Sequence, residues 1–215
     1  ELSKALDEIF EEVPKTEEVS EKPLVLIVPH AGYIYSGSTA GYGYYQLRNF
    51  KYNTIIIMGP THRVPLTKVS VGTFKYFKTP LKKSEVDVDL ANALIEKSPD
   101  NIGYDPSAFK FEHSVEVQVP FIQKLFPDAK ILPIVMPENG EAIKALSEAI
   151  VSVMKDRDDI LLVASTDMSH FHDSKEAMLL DRKAIEYIED MDYAGLIDGI
   201  NDGECELCGI GPVLT

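Results

Sequence analysis

The chain has 215 residues, of which 45% are hydrophobic and 26% charged, a formal net charge of −14 and a mean hydropathy near zero. That composition fits a globular protein large enough to bury one sizeable core, and the acidity argues against a phosphate-backbone partner unless a basic patch is concealed, because nucleic-acid affinity rests largely on Lys and Arg neutralising phosphates. No apolar run approaches the roughly 18–20 residues that span a bilayer, and an acidic N-terminus is not a secretory leader, so the expectation is a cytoplasmic protein with neither nucleic-acid nor membrane partner.

Residues 2–13 carry Leu2, Ala5, Leu6, Ile9, Phe10 and Val13 at near-helical spacing, which predicts an amphipathic opening helix. The acidic, Pro-containing stretch Pro14 to Pro23 leads into a short apolar run, residues 24–28, that ends abruptly at Pro29-His30-Ala31-Gly32-Tyr33. A run of this kind bounded by turn residues reads as a buried strand. Residues 36–45 read as a loop passing into a Gly- and Tyr-rich helix. They lack the Gly-Lys-Ser/Thr ending of a phosphate loop, and Gly37, Gly41 and Gly43 miss the dinucleotide spacing, so close packing against the sheet is the expected use of these glycines.

A second strand, residues 54–58, runs into Gly59-Pro60-Thr61-His62. Alternation over 68–77 predicts a strand or hairpin arm. Residues 84–95 read as a helix capped by Ser84, with Val88, Ala91, Leu94 and Ile95 on one face. Residues 101–111 read as an irregular loop, and Pro120 argues against one long helix across the segment that follows. A strand at 130–136, a helix at 141–155, a strand at 160–164 ending near His170, and helices at 174–190 and 193–200 complete the pattern. Strands alternating with helices predict an α/β sandwich in one domain.

Three of the five histidines, His30, His62 and His170, lie just past β-type runs. In open α/β sheets, ligands bind outside the C-terminal strand ends. Two imidazoles plus one anionic group, with coordination positions left open, is how proteins hold a reactive metal. His30 and His62 are the first two candidate ligands. The third is a carboxylate, among Asp167, Glu116 and Glu206, or the thiolate of Cys208, whose position before Gly209 at an expected helix start would favour ionisation. His170 suits a proton carrier, since Asp167 lies three residues before it. His113, between Glu112 and Glu116, is either part of the pocket wall or a loop imidazole paired with a carboxylate. His172 is expected to face away or into solvent. Only two cysteines exist, Cys205 and Cys208, so no disulfide framework and no complete zinc ribbon is present.

Five motifs in order, Pro29-His30-Ala31-Gly32-Tyr33, Gly59-Pro60-Thr61-His62, residues 112–118 (EHSVEVQ), residues 165–170 (STDMSH) and Leu207-Cys208-Gly209, together resemble the Memo family. That family is named for mediating cell motility downstream of a receptor tyrosine kinase and has archaeal and bacterial members. The resemblance implies a fold shared with class III extradiol dioxygenases, a single-domain sandwich with a mixed central sheet flanked by helices. It also implies a two-His, one-Cys site for iron or copper, with His30, His62 and Cys208 as ligands and Asp167 and His170 beside them. A thiolate in place of a carboxylate makes such a site softer and favours copper. Cys205 is an extra thiol that would take Cys208 out of the site in a reversible disulfide. The resemblance also implies that the family pattern would continue beyond residue 215 with a helix and further strand. The expected function is therefore a metal-dependent, dioxygenase-like oxidoreductase with a small-molecule substrate. The alternatives are a binding module whose cleft takes a peptide or other partner, and a metal-dependent hydrolase.

Overall fold

The computed structural model describes residues 1–14 and 19–215, so the middle of the acidic lead-in lies outside the described residues. The architecture is α/β, with a mixed six-stranded sheet between helices. Strand β1 spans Val25–Val28, β2 Thr54–Pro60, β3 Val69–Val71, β6 Ile102–Gly103, β7 Lys130–Met136 and β8 Ile160–Ser165. Their order is β1-β8-β2-β7-β3-β6. The first four run parallel, and β3 turns antiparallel to β7. A separate hairpin pairs β4 (Tyr76–Lys78) with β5 (Lys83–Glu85).

The centre of the sheet is apolar on both faces, as parallel sheets covered by helices require. Ile55, Ile56 and Ile57 of β2 and Ile131 and Leu132 of β7 are fully buried. Each such side chain contributes roughly 1.5–3 kcal/mol relative to an exposed one. The covering helices are α1 (Leu2–Glu12), α2 (Tyr33–Gln46), α3 (Val88–Lys97), α4 (Val119–Leu125), α5 (Gly140–Met154), α6 (Ser174–Glu189), α7 (Tyr193–Asn201) and the short α8 (Ile210–Leu214). None of the described helices is long and apolar enough to cross a membrane.

Several local expectations need correction. Helix α2 starts at Tyr33, directly after Gly32, with no intervening loop. Its glycines serve two partners: a Cβ at Gly37 or Gly41 would collide with Ile9 of α1, and one at Gly43 would press on Leu26 and Val28 of β1. Ser84 caps nothing, because it is buried in β5 and accepts a hydrogen bond from Gln123. The cap of α3 is Asp87, whose carboxylate accepts from the Leu90 N–H. The alternating run 68–77 divides into β3 and β4 in different sheets, with Gly72 between them packed onto Pro133. The expected irregular loop holds β6 at its start. Pro120 sits at the first positions of α4, where its missing N–H costs nothing.

Candidate metal centre

Strand register assembles the site. Val28 pairs with Ser165 and Met58 with Ala164, so β1, β8 and β2 end side by side. His30, Asp167 and His62 each follow two residues after the last residue of one of these strands. They therefore emerge together at the C-terminal edge, where helix-covered parallel sheets hold their ligands.

Loops bring in the remaining groups. The segment Glu112–Gln118 crosses over β2, and its close approach depends on Gly59, since a Cβ there would collide with Ser114. The turn Leu207-Cys208-Gly209 lies against the loop after β8. Gly209 is required there because a Cβ would run into the Ser165 carbonyl and Thr166. The Cys208 N–H donates to the Asp167 carbonyl at 3.1 Å, and the Gly209 N–H donates to Thr166 Oγ1 at 2.9 Å.

At the centre, Cys208 Sγ is 3.2 Å from His30 Nε2 and accepts the Asp167 N–H at 3.2 Å. The rings of His30, His62 and His113 cluster, with centroids 5.2 Å apart for His30–His62 and 4.8 Å for the stacked His62–His113 pair. Two overlapping donor sets have ligand atoms within 4.8 Å of one another: His30, His62 and His113, and His30, Asp167 and Cys208. His30 is common to both.

The second layer fixes the tautomers. Ser165 Oγ donates to the Ser114 carbonyl at 2.6 Å, which uses its one proton. It must then accept from Gln118 Nε2, at 2.8 Å, and from His30 Nδ1, at 2.9 Å. His30 therefore carries a proton on Nδ1 and turns Nε2 to the Cys208 sulfur. Gln118 is itself held by the buried Tyr44 hydroxyl and by the Pro29 carbonyl. His62 is arranged likewise: its Nδ1 lies 3.0 Å from Glu112 Oε1, and its backbone N–H donates to Glu112 Oε2 at 2.6 Å. Glu112 also accepts the Ser114 N–H.

Charges follow this geometry. Burial pushes the Cys208 thiol up, but hydrogen bonds with His30 and His62 and the Asp167 N–H outweigh it, leaving its pKa at about 6. Hydrogen bonds to Cys208 and Glu112 raise His62 to about 9, against the opposing effect of burial. Burial raises Glu112, yet bonds from His62 and two backbone N–H groups bring it down to about 2. Burial, followed by the nearby His62 charge, lowers His113. The thiol is thus acidified by imidazoles. The expected helix start is present, with Gly209 as the N-cap of the five-residue α8, while the causes that lower the thiol are the two imidazoles and the Asp167 N–H.

The other candidates separate clearly. Asp167 Oδ1 accepts the His30 and Ala31 N–H groups, and its Oδ2 lies 3.6 Å from His170 Nε2 and 3.9 Å from His30 Nε2. His170 is partly exposed beside the cluster. Glu116 is exposed and belongs to neither donor set. Glu206 is also outside the donor sets, held by His172 at 2.9 Å and by the His170 N–H. His172 turns away from the centre to Glu206 and Glu176. Both cysteines are free, and Cys205 is buried in a separate apolar cluster with Ala184, Leu196 and Leu207. Sequence reading missed Ser165 and Gln118 as orienters of His30 and Glu112 as orienter of His62. The sequence signal was only the unusual polarity of residues that close or follow apolar runs.

A family model described as Memo-like protein matches residues 1–215. The chain belongs to the Memo family. Among its relatives is a protein of Sulfurisphaera tokodaii named as a MEMO1 family protein, 40% identical over 198 residues, which is 89% of this chain and 69% of that protein. MEMO1 family proteins of Saccharolobus islandicus strain M.14.25 and Saccharolobus solfataricus are 37% and 38% identical over 211 residues, covering 95% of this chain and 74% of each relative.

Proposed function

We propose that this Memo family protein binds iron or copper through His30, His62 and Cys208 and works as an oxidoreductase on a small molecule, with His170 and Asp167 handling protons. The observation that carries this reading is the pair of second-layer bonds that hold two imidazoles by Nδ1 and leave the other edge of each ring hydrogen-bonded to one ionised thiol. Metal-ligating histidines are oriented in this way, by a partner on the outer ring nitrogen. A core built for packing alone has no use for a thiolate beside two aimed imidazoles.

The proposed ligands draw on both donor sets, His62 from one, Cys208 from the other and His30 common to the two. One thiolate with two imidazoles is soft enough for copper and also compatible with iron, and when bound such a metal supplies one-electron chemistry and Lewis acidity. His113 stacks on His62 and forms the wall, while Glu112 is shared between the two rings. Asp167 holds the His30 backbone through Oδ1 and sets Oδ2 3.6 Å from His170 Nε2, so the proposed proton carrier and a carboxylate stand side by side. Two free thiols, one of them ionised, suit a reducing compartment, and this reading places the protein in the cytoplasm.

Reconstitution with Cu(II) tests the assignment. A thiolate-to-metal charge-transfer band is expected in wild type and in His170→Ala and His113→Ala, and its absence in Cys208→Ser. A band that survives Cys208→Ser, or that disappears in His113→Ala, contradicts the ligand set.

A further inference from the structure

His30, His62 and His113 crowd together, and His113 has no part in the ligand set proposed above. It comes in on the segment that crosses β2, with the chain pinned on both sides of it. Glu112, just before it, accepts the His62 N–H at 2.6 Å. Ser114, just after it and fully buried, donates its hydroxyl to the Pro60 carbonyl at 2.9 Å, while its own carbonyl receives Ser165 Oγ at 2.6 Å.

The three rings have the spacing of imidazoles gathered on one ion. With metal–nitrogen bonds of about 2.0–2.1 Å and tetrahedral angles, the ring centres stand about 5 Å apart. The separations here are 5.2 Å for His30–His62, 5.5 Å for His30–His113 and 4.8 Å for His62–His113. One ring nitrogen from each lies within 4.8 Å of the other two. His113 is also turned as a ligand is. Its Nδ1 lies 3.4 Å from Glu112 Oε1, the same oxygen that stands 3.0 Å from His62 Nδ1, so one buried carboxylate backs two neighbouring rings. Ring stacking alone does not call for that carboxylate.

We infer that His30, His62 and His113 form a second ligand set of the same centre, which holds a divalent cation of the zinc class without the Cys208 sulfur. Imidazoles suit a borderline divalent ion and a thiolate suits a softer one, so the two sets divide metals by softness. They exclude each other, because both use His30. Three imidazoles with an open fourth position supply Lewis acidity without electron transfer. The inference goes beyond the ligand set proposed above and stands on the three rings alone.

Zinc affinity, read by competition with a chromophoric chelator, and Co(II) absorption, as the spectroscopic stand-in for zinc, test the inference in Cys208→Ser. One zinc per chain is expected to bind there, with Co(II) giving the visible bands of a four-coordinate site and no thiolate-to-metal charge transfer. Adding His113→Ala to Cys208→Ser is expected to weaken zinc at least tenfold. Adding His172→Ala instead, at an imidazole turned away from the centre, leaves zinc affinity unchanged. Cu(I) affinity is expected to respond in the opposite way, falling at least tenfold in Cys208→Ser and holding in His113→Ala. Loss of zinc binding in Cys208→Ser alone, or equal zinc affinity with and without His113→Ala in that background, overturns the inference. Should the double variant fail to fold, the 15N shift of His113 Nε2 in Cys208→Ser decides: a coordination shift on adding zinc supports the second set, and an unchanged resonance overturns it. Cu(I) affinity that ignores Cys208→Ser counts against the ligand set proposed above, while the zinc comparison still decides this one.

Discussion

Cys208 Sγ and His30 Nε2 lie 3.2 Å apart although they are 178 positions apart in the chain, and Ser165, bonded to His30 Nδ1, fixes the ring so that Nε2 faces that sulfur. A thiol at about 6 beside an imidazole at about 9 is a thiolate–imidazolium arrangement at neutral pH in the metal-free protein. The rate of Cys208 alkylation by iodoacetamide should therefore rise with a midpoint near pH 6. In His62→Ala the midpoint should move up toward the ordinary thiol range. A wild-type midpoint near 9 contradicts the description of the pair.

Removing the partner of a ligating imidazole typically costs 10–100-fold in metal affinity. Glu112→Gln should lose about that much, read by competition with a chromophoric chelator. Its His62 should also titrate lower, because a hydrogen bond to a carboxylate is among the causes that raise it. Unchanged affinity would mean that Glu112 only braces the loop through Ser114 and the His62 N–H.

Ser165→Ala leaves the His30 Nδ1–H and one Gln118 N–H bond without their shared acceptor in a fully buried place. An unsatisfied buried polar group costs about 1–3 kcal/mol, so urea unfolding should show a loss of that size. Metal affinity should fall together with stability, since the tautomer of His30 is no longer specified. Val28→Ala, at the paired position on β1, is expected to lower stability while sparing affinity.

Acid stability should report on Glu112. Its folded pKa of about 2 lies below the ordinary 4.5, so its contribution is fully present above pH 4.5 and is lost as pH falls toward 2. The shift corresponds to at most about 3 kcal/mol. Urea midpoints at pH 6 and pH 3 should differ more in wild type than in Glu112→Gln. Between pH 6 and 9 the linked groups oppose each other: stability from raised His62 is lost as pH rises through 9, and that from depressed Cys208 is lost as pH falls through 6. A flat profile is expected across that interval.

Much of the site was legible because it is written at strand ends. His30 and His62 follow apolar runs that read as strands, and the order β1-β8-β2 then places them beside Asp167; β2 is buried throughout, whereas β1, expected to be buried, is an edge strand that leaves Val25 half exposed. The strand order itself was not readable, nor was the crossing of Glu112–Gln118 over Gly59, because both are contacts between distant parts of the chain. The acidity of Cys208 was anticipated for a local reason, a helix start, and arises instead from His30, His62 and the Asp167 N–H. Ser84 looked like a helix cap because Ser commonly is one, whereas burial and Gln123 draw it into β5 and leave the cap to Asp87 three residues on. Polar residues inside apolar segments, Ser165 and Gln118 above all, signalled second-layer work that only the folded arrangement could assign.

The most direct test of the ligand assignment is metal content after anaerobic purification, compared among wild type, His62→Ala, Cys208→Ser and His170→Ala. Near-stoichiometric iron or copper is expected in wild type and His170→Ala, with strong depletion in His62→Ala and Cys208→Ser. Equal, near-zero metal in all four proteins after supplementation with both metals would contradict it.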